Sequence, residues 1–234
     1  MLRGSRLRCG SRIRRRSMAW KLGPGIGFCE TGGDLVFLDL ARDKYLAMRG
    51  EDRAAFERLC RGEANDGEAM TRLVQTGLLV RSDSPVLIEP TRIEVPPRDL
   101  SSAAEQGFSI GAALSAAVSL RWARRAMRPD RIAATIAGFS RCERGETVEA
   151  PEERVEAIAA RYAASRWIDP ISQRCLIDAL ALGRIIRAQG GRAALVFGVR
   201  LAPFAAHCWL QTPRVVLTGT AADARNYAPI LAVE

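Results

Sequence analysis

"DPISQRCLIDALALGRIIRAQGGRAALVFGV", residues 169–199, decides how this 234-residue chain folds around its chemistry. Asp169 or Ser172 suits the cap of a helix, and Pro170 suits its first turn, where no backbone N–H is missed. Leu176, Leu180, Ile185 and Ile186 give that helix an apolar side, and Gly190-Gly191 ends it. "AALVFGV" (193–199) then reads as a buried strand. The order predicts that Cys175 lies in the first turn or two of a helix. Free N–H groups and the positive dipole end there favour a thiolate over a thiol.

Downstream, "AHCWLQ" (206–211) reads as a strand, "TPR" (212–214) as a turn and "VVL" (215–217) as the returning strand. Residue 207 is the chain's single histidine. Strand alternation sets His207 and Trp209 on one side, with Trp209 packing over the site, and turns Cys208 to the other side as a core residue. A cysteine on a helix start with a histidine on a later strand is the papain-like arrangement, in which the imidazole activates the thiol. Asp178, one turn after Cys175, reads as a solvated helix residue or an arginine partner.

The rest of the chain bounds the possibilities. The formal charge is +9, but "MLRGSRLRCGSRIRRRS" (1–17) holds seven arginines and no acid, which leaves about +2 for everything else. Residues 1–17 read as a basic disordered tail or as sequence ahead of a start at Met18. A secretory signal needs an apolar core after its charges, and "SMAWKLGPGIG" (17–27) is too weak for one, so a cytoplasmic protein is expected. No uncharged apolar run reaches the ~18 residues of a membrane span, and "GFSIGAALSAAVSL" (107–120) reads as a core helix. Six cysteines without a CxxC pair, and one histidine, give no zinc spacing and no disulfide framework. No GxxxxGK[ST] marks a nucleotide site, and no cofactor is called for.

Residues 18–96 form a first unit. "GIGFCETGGDLVFLDLARDKYLAMRG" (25–50) reads as strands around turns at Gly32-Gly33-Asp34 and Ala41–Lys44. Helices follow at "GEDRAAFERLCRG" (50–62) and "GEAMTRLVQTGLL" (67–79). "IEVPPRDLSSAAEQG" (93–107) has no periodicity, and residues 97–107 read as a linker. Helical stretches at 108–127, 130–141 and 152–166 then lead into the 169–199 segment. The expected fold class is α+β in two domains, 18–96 and 108–234; the resemblances that follow imply a small winged-helix-like peptide-binding domain for the first and a papain/transglutaminase-like cysteine peptidase domain for the second.

Two resemblances sharpen this. "LVFLDL" (35–40), Tyr45-Leu46, Phe56–Leu59 and "LVQTGLLV" (73–80) resemble the RiPP recognition element. That family binds a leader peptide as an added strand between a sheet edge and a helix. The resemblance implies peptide-binding roles for Tyr45 and Leu46 on the strand and for Leu73 and Leu78 on the helix, although Tyr45 and Leu46 also suit a small core. "QRCLIDALALGRIIRAQGGRAALVFGV", "AHCWLQ" and "RNYAPILAV" resemble the transglutaminase-like leader peptidase of lasso-peptide biosynthesis, the B proteins. Fusion to a recognition element is one of that family's two arrangements.

The second resemblance implies a cysteine protease that removes the leader of a lasso-peptide precursor and hands the core to a separate ATP-dependent lasso cyclase. Its partners would be the precursor leader and that cyclase, with no nucleic acid and no membrane span. Cys175 and His207 would be catalytic. The family carries an Asp downstream of the histidine to orient the imidazole, but Gly219 stands at that place here. Asp223 from the following turn, or a neutral hydrogen bond from Thr218 or Gln211, would substitute, or the enzyme would be impaired. The alternatives are therefore a leader-binding chaperone without activity, another acyl-transfer use of the same Cys-His pair (transglutaminase or amidase), and a winged-helix nucleic-acid binder using the arginine tail.

Overall fold

The computed structural model describes residues 19–63, 67–100, 109–128, 131–140, 150–165 and 175–234. The caps expected at Asp169, Pro170 and Ser172, and residues 1–17, lie outside them. In chain order the elements are β1 (Ala19–Leu22), β2 (Ile26–Thr31), β3 (Asp34–Asp39), β4 (Lys44–Met48), α1 (Gly50–Cys60), α2 (Glu68–Gln75), β5 (Leu79–Ser82) and β6 (Arg98–Asp99). Then follow α3 (Ile110–Ala126), α4 (Ile132–Ser140), α5 (Glu152–Ala164), α6 (Cys175–Ala188), β7 (Ala194–Leu201), β8 (Phe204–Gln211), β9 (Val215–Val216), α7 (Ala221–Ala224) and β10 (Ala228–Val233).

Three sheets result. β1 pairs with β5, and β2-β3-β4 form an antiparallel meander. The third sheet has the order β10-β7-β8-β9-β6, antiparallel except for the β6–β9 pair. The mixed α/β architecture follows from the local patterns. α5 begins after Pro151 with Glu152 and Glu153 in its first turn, and buries Val155, Ile158, Ala159 and Tyr162 on one stripe. α6 is buried almost all round, from Ile177 to Ile186, as suits a helix sandwiched in a core. α3 is only half a core helix: Ala113, Ala116, Leu120 and Ala123 are buried, whereas Ile110, Leu114 and Val118, four residues apart along its other side, are exposed.

The run "LVFLDL" has no polar alternation because β3 is covered on both faces. Leu35 and Phe37 pack with Phe28 of β2 and Phe56 of α1, and the three phenylalanine rings meet at centroid distances of 4.9–5.5 Å. Val36, Leu38 and Leu40, with Cys29 opposite, join the core built on α3, α5, α6, β7, β8 and β10. The first unit therefore shares a core with the second. β2 packs on β10 so closely that a Cβ on Gly27 would lie 2.1 Å from the Ile230 carbonyl oxygen.

Residues 83–97 extend across both units. Ile88 enters the first core, Thr91 donates its hydroxyl to the Ile230 carbonyl at 2.8 Å, and Ile93 and Val95 cover the second face of the C-terminal sheet. The linker expected at 97–107 begins inside the fold, since Arg98 and Asp99 form the edge strand β6. The backbone groups of a parallel pairing with β9 give that short segment a place that its composition alone does not announce.

Candidate active site

Cys175 opens α6, and α6 packs on β8. β8 is paired along one side with β7, Phe197 opposite Cys208 and Gly198 opposite His207. On its other side β9 reaches it only at Gln211. Among the described residues no strand pairs with the 204–209 edge, and Cys175 meets the strand there. Its sulfur accepts hydrogen bonds from the Cys208 thiol and backbone N–H, and bonds to the His207 side chain.

These contacts set the charge state. The Cys208 thiol is the largest influence lowering the Cys175 pKa; burial opposes it, and the His207 hydrogen bond, the Cys208 N–H and the imidazole's charge lower it further. The balance is about 4, so Cys175 is a thiolate at neutral pH. Cys208, deeply buried, shifts the other way: burial first, then the hydrogen bond to Cys175, push its thiol well up and keep it a protonated donor. Burial alone pushes Cys29 up to about 11, and burial, then the Glu57 charge, push Cys60 up to about 11 against the opposing pull of Arg61 and a backbone hydrogen bond.

Strand alternation correctly turns Cys208 away from His207 into the core, where it is buried. It misses the contact with Cys175, because alternation describes the two faces of a strand and Cys175 sits at its edge. Trp209 is fully buried, stacks on His207 at 5.9 Å between ring centres, and donates its indole N–H to Gln211 Oε1 at 2.7 Å. Tyr227 holds the imidazole from another side at 5.1 Å. Gly198 makes this stack possible: a Cβ there would lie 2.8 Å from both the Trp209 ring and Tyr227 Cβ. Asp178 accepts the Tyr162 hydroxyl at 3.0 Å, so its first neighbour is a phenol.

The third group comes from α7. Thr220 caps that turn, accepting the Asp223 N–H at 3.1 Å, and the Asp223 carboxylate stands 3.6 Å from His207 Nε2. With Nε2 turned to Asp223, Nδ1 is left for the thiolate. Gly219 lies in the left-handed region at φ +76°, and its missing Cβ would be 3.8 Å from the same Nε2. A side chain at 219 would thus reach the imidazole, and Asp223 approaches the vacant place from the next turn. The two neutral substitutes are engaged elsewhere. Thr218 accepts the Leu210 N–H at 2.8 Å, and Gln211 holds Trp209 with its oxygen and donates to the Glu94 carbonyl at 2.9 Å.

The four residues expected to bind peptide separate. Leu73 (2% exposed) and Leu78 (4%) are core residues of the first unit and have no surface to offer a ligand. Their helical spacing marks an inner stripe, which the sequence alone does not distinguish from a groove-facing one. Tyr45 packs against the shared core and meets Phe204 edge-on at 5.6 Å. Burial, then the nearby Cys208, Asp43, Cys175 and Cys29, push its phenol well above the usual range. Tyr45 therefore borders the thiols. Leu46 alone is exposed, at 39%, on β4, whose outer edge pairs with no strand among the described residues.

A thiolate, an imidazole and a carboxylate in this order form the working parts of acyl-transfer catalysis through a cysteine. The chain's sequence matches the transglutaminase-like superfamily over residues 112–232. It belongs to that superfamily. The match covers α3 to β10 and so includes Cys175, His207 and Asp223. No curated protein and no solved structure matches the chain. The superfamily is compatible with cysteine peptidase or acyl-transferase activity. Among the described residues no helix is long and apolar enough to cross a membrane.

Proposed function

We propose that the chain is a cysteine peptidase that cuts the leader from a lasso-peptide precursor, with residues 18–96 gripping the leader. The carrying observation is the Cys175–His207–Asp223 cluster, whose thiol is held at about 4. The Cys175 thiolate attacks the scissile carbonyl carbon. The imidazolium of His207, oriented by Asp223, gives its proton to the leaving amine as the C–N bond breaks. Water then attacks the thioester, His207 takes its proton, and the acid leaves with the thiolate restored. Cys208 holds the thiolate in place beforehand.

The first unit supports the leader half of this reading. β4 presents an unpaired edge suited to strand addition, with Leu46 exposed on it. Tyr45, on the same strand, borders the thiols, so a peptide added at β4 would run close to the nucleophile. The freed core amine would pass to a separate cyclase.

The test uses the precursor peptide encoded beside the gene, incubated with the protein with and without the neighbouring cyclase and read by mass. Cleavage after the leader by the wild type and none by Cys175→Ala is the expected result. Leader binding without a cut, even with the cyclase present, would leave a leader-binding chaperone. Transfer of the acyl group to an amine would leave a transferase.

A further inference from the structure

Among the described residues two buried side-chain nitrogens have no hydrogen-bond partner: His207 Nε2 and Arg200 Nε. Buried polar groups are nearly always paired, so each orphan asks for a reason. His207 has one in Asp223, 3.6 Å away and a small movement from a bond. Among the described residues Arg200 has no carboxylate partner, whereas Arg42, Arg49, Arg72 and Arg214 each hold one.

Arg200 lies on β7, two residues past Gly198, which is the partner of His207. Alternation puts it on the imidazole's side of the sheet. Its guanidinium carbon rests 5.3 Å from the centre of the Tyr227 ring, and that centre is 5.1 Å from the imidazole. Those two lengths end to end span about three residues of extended peptide at ~3.3 Å each. The platform is firm, because Tyr227 Cβ sits against the bare Cα of Gly198. A guanidinium laid on an aromatic ring keeps its N–H fork free for a planar, two-oxygen acceptor.

We propose that Arg200 is a specificity-determining residue of this site, and that its guanidinium binds the carboxylate of a substrate Asp or Glu within about three residues of the scissile bond. This rests on the peptidase reading and adds the substrate class: peptides with an acidic side chain next to the cut. Nε is covered in this structure, so a turn of the guanidinium on the Tyr227 ring would bring it to the substrate carboxylate.

The test is covalent labelling of Cys175 by neutral epoxysuccinyl diamides, which extend peptide arms to either side of the electrophile. Each arm carries Asp or Asn at one of its first three positions, and the ratio of the two labelling rates is measured within each protein. The wild type should favour Asp roughly tenfold or more at one position, as a hydrogen-bonded charge pair does. Arg200→Gln should bring that ratio to about one, and Arg200→Lys should leave an intermediate ratio, which separates loss of charge from loss of fold. Equal rates for Asp and Asn at every position in the wild type, or the same ratio in wild type and Arg200→Gln, would overturn the proposal alone. No labelling of the wild type by any probe would overturn the nucleophile reading, and this proposal with it.

Discussion

The N-terminal sheet β2-β3-β4 and the C-terminal sheet around β7 and β8 are both covered on two faces, and each has a partly or fully buried thiol beside it. In the first, Cys29 lies in the shared apolar core, and burial pushes its thiol up to about 11. In the second, Cys175 is also partly buried, yet it is held at about 4. The difference is the strand edge. A thiol against a sheet face meets side chains chosen for packing, whereas a thiol at an open edge meets a backbone N–H and the side chains of both faces. Burial without donors makes an inert cysteine; burial with donors makes a nucleophile.

The largest predicted effect tests that contrast. Alkylation by iodoacetamide, followed residue by residue by mass, should label Cys175 from pH 5 upward and lose it as pH falls through about 4, where the thiolate is protonated. Cys29 and Cys60 should label only as pH rises through about 11. Near pH 7 the rates should differ by roughly a thousandfold or more, the thiolate fraction falling about tenfold per pH step below the pKa. Cys208→Ala removes the largest influence lowering the Cys175 thiol, so the acidic edge of its profile should move upward. An unmoved edge in Cys208→Ala would mean that His207 alone makes the thiolate.

How much of this the sequence discloses follows the same division between faces and edges. Cys175 at a helix start and His207 on a strand are local facts, written in helical spacing and strand alternation, and the geometry brings both together. Trp209 over the imidazole is legible for the same reason. Cys208 touching the nucleophile is not, because nothing in "AHCWLQ" says which stretch of the strand lacks a neighbour. The shared core is less legible: "LVFLDL" reads as a strand, but its second cover comes from β10, nearly 200 residues away. Leu73 and Leu78, given to the leader by resemblance, stand in the core of the first unit.

A smaller effect concerns the carboxylate proposed to orient the imidazole. Asp223 is about half exposed and 3.6 Å from Nε2, a looser hold than a buried carboxylate in full contact. Asp223→Ala should therefore lower kcat by roughly ten- to a hundredfold, well short of the ~10⁴ that a disabled buried triad aspartate causes. Gly219→Asp in that background should restore part of the loss, because a side chain at 219 starts 3.8 Å from Nε2 and Asp tolerates the left-handed backbone better than most residues. Unchanged kcat in Asp223→Ala would remove Asp223 from the site.

The smallest effect asks whether the two sheets are one body. Gly27 brings β2 against the β10 backbone, and an added methyl would lie 2.1 Å from the Ile230 carbonyl oxygen, so β2 or β10 must shift. Overpacking of this kind costs about 1–3 kcal/mol, which for a chain of this size lowers Tm by roughly 2–12 °C. Gly27→Ala should show that loss by circular dichroism while the chain still melts in one transition, since Val36 and Leu38 share a core with Leu195 and Ile230. A wild type that melts in two steps, with only the first moved by Gly27→Ala, would make the N-terminal unit an independent domain. Tyr45 would then reach the thiols only when the two units dock, and leader binding at β4 would be able to govern the site through that docking.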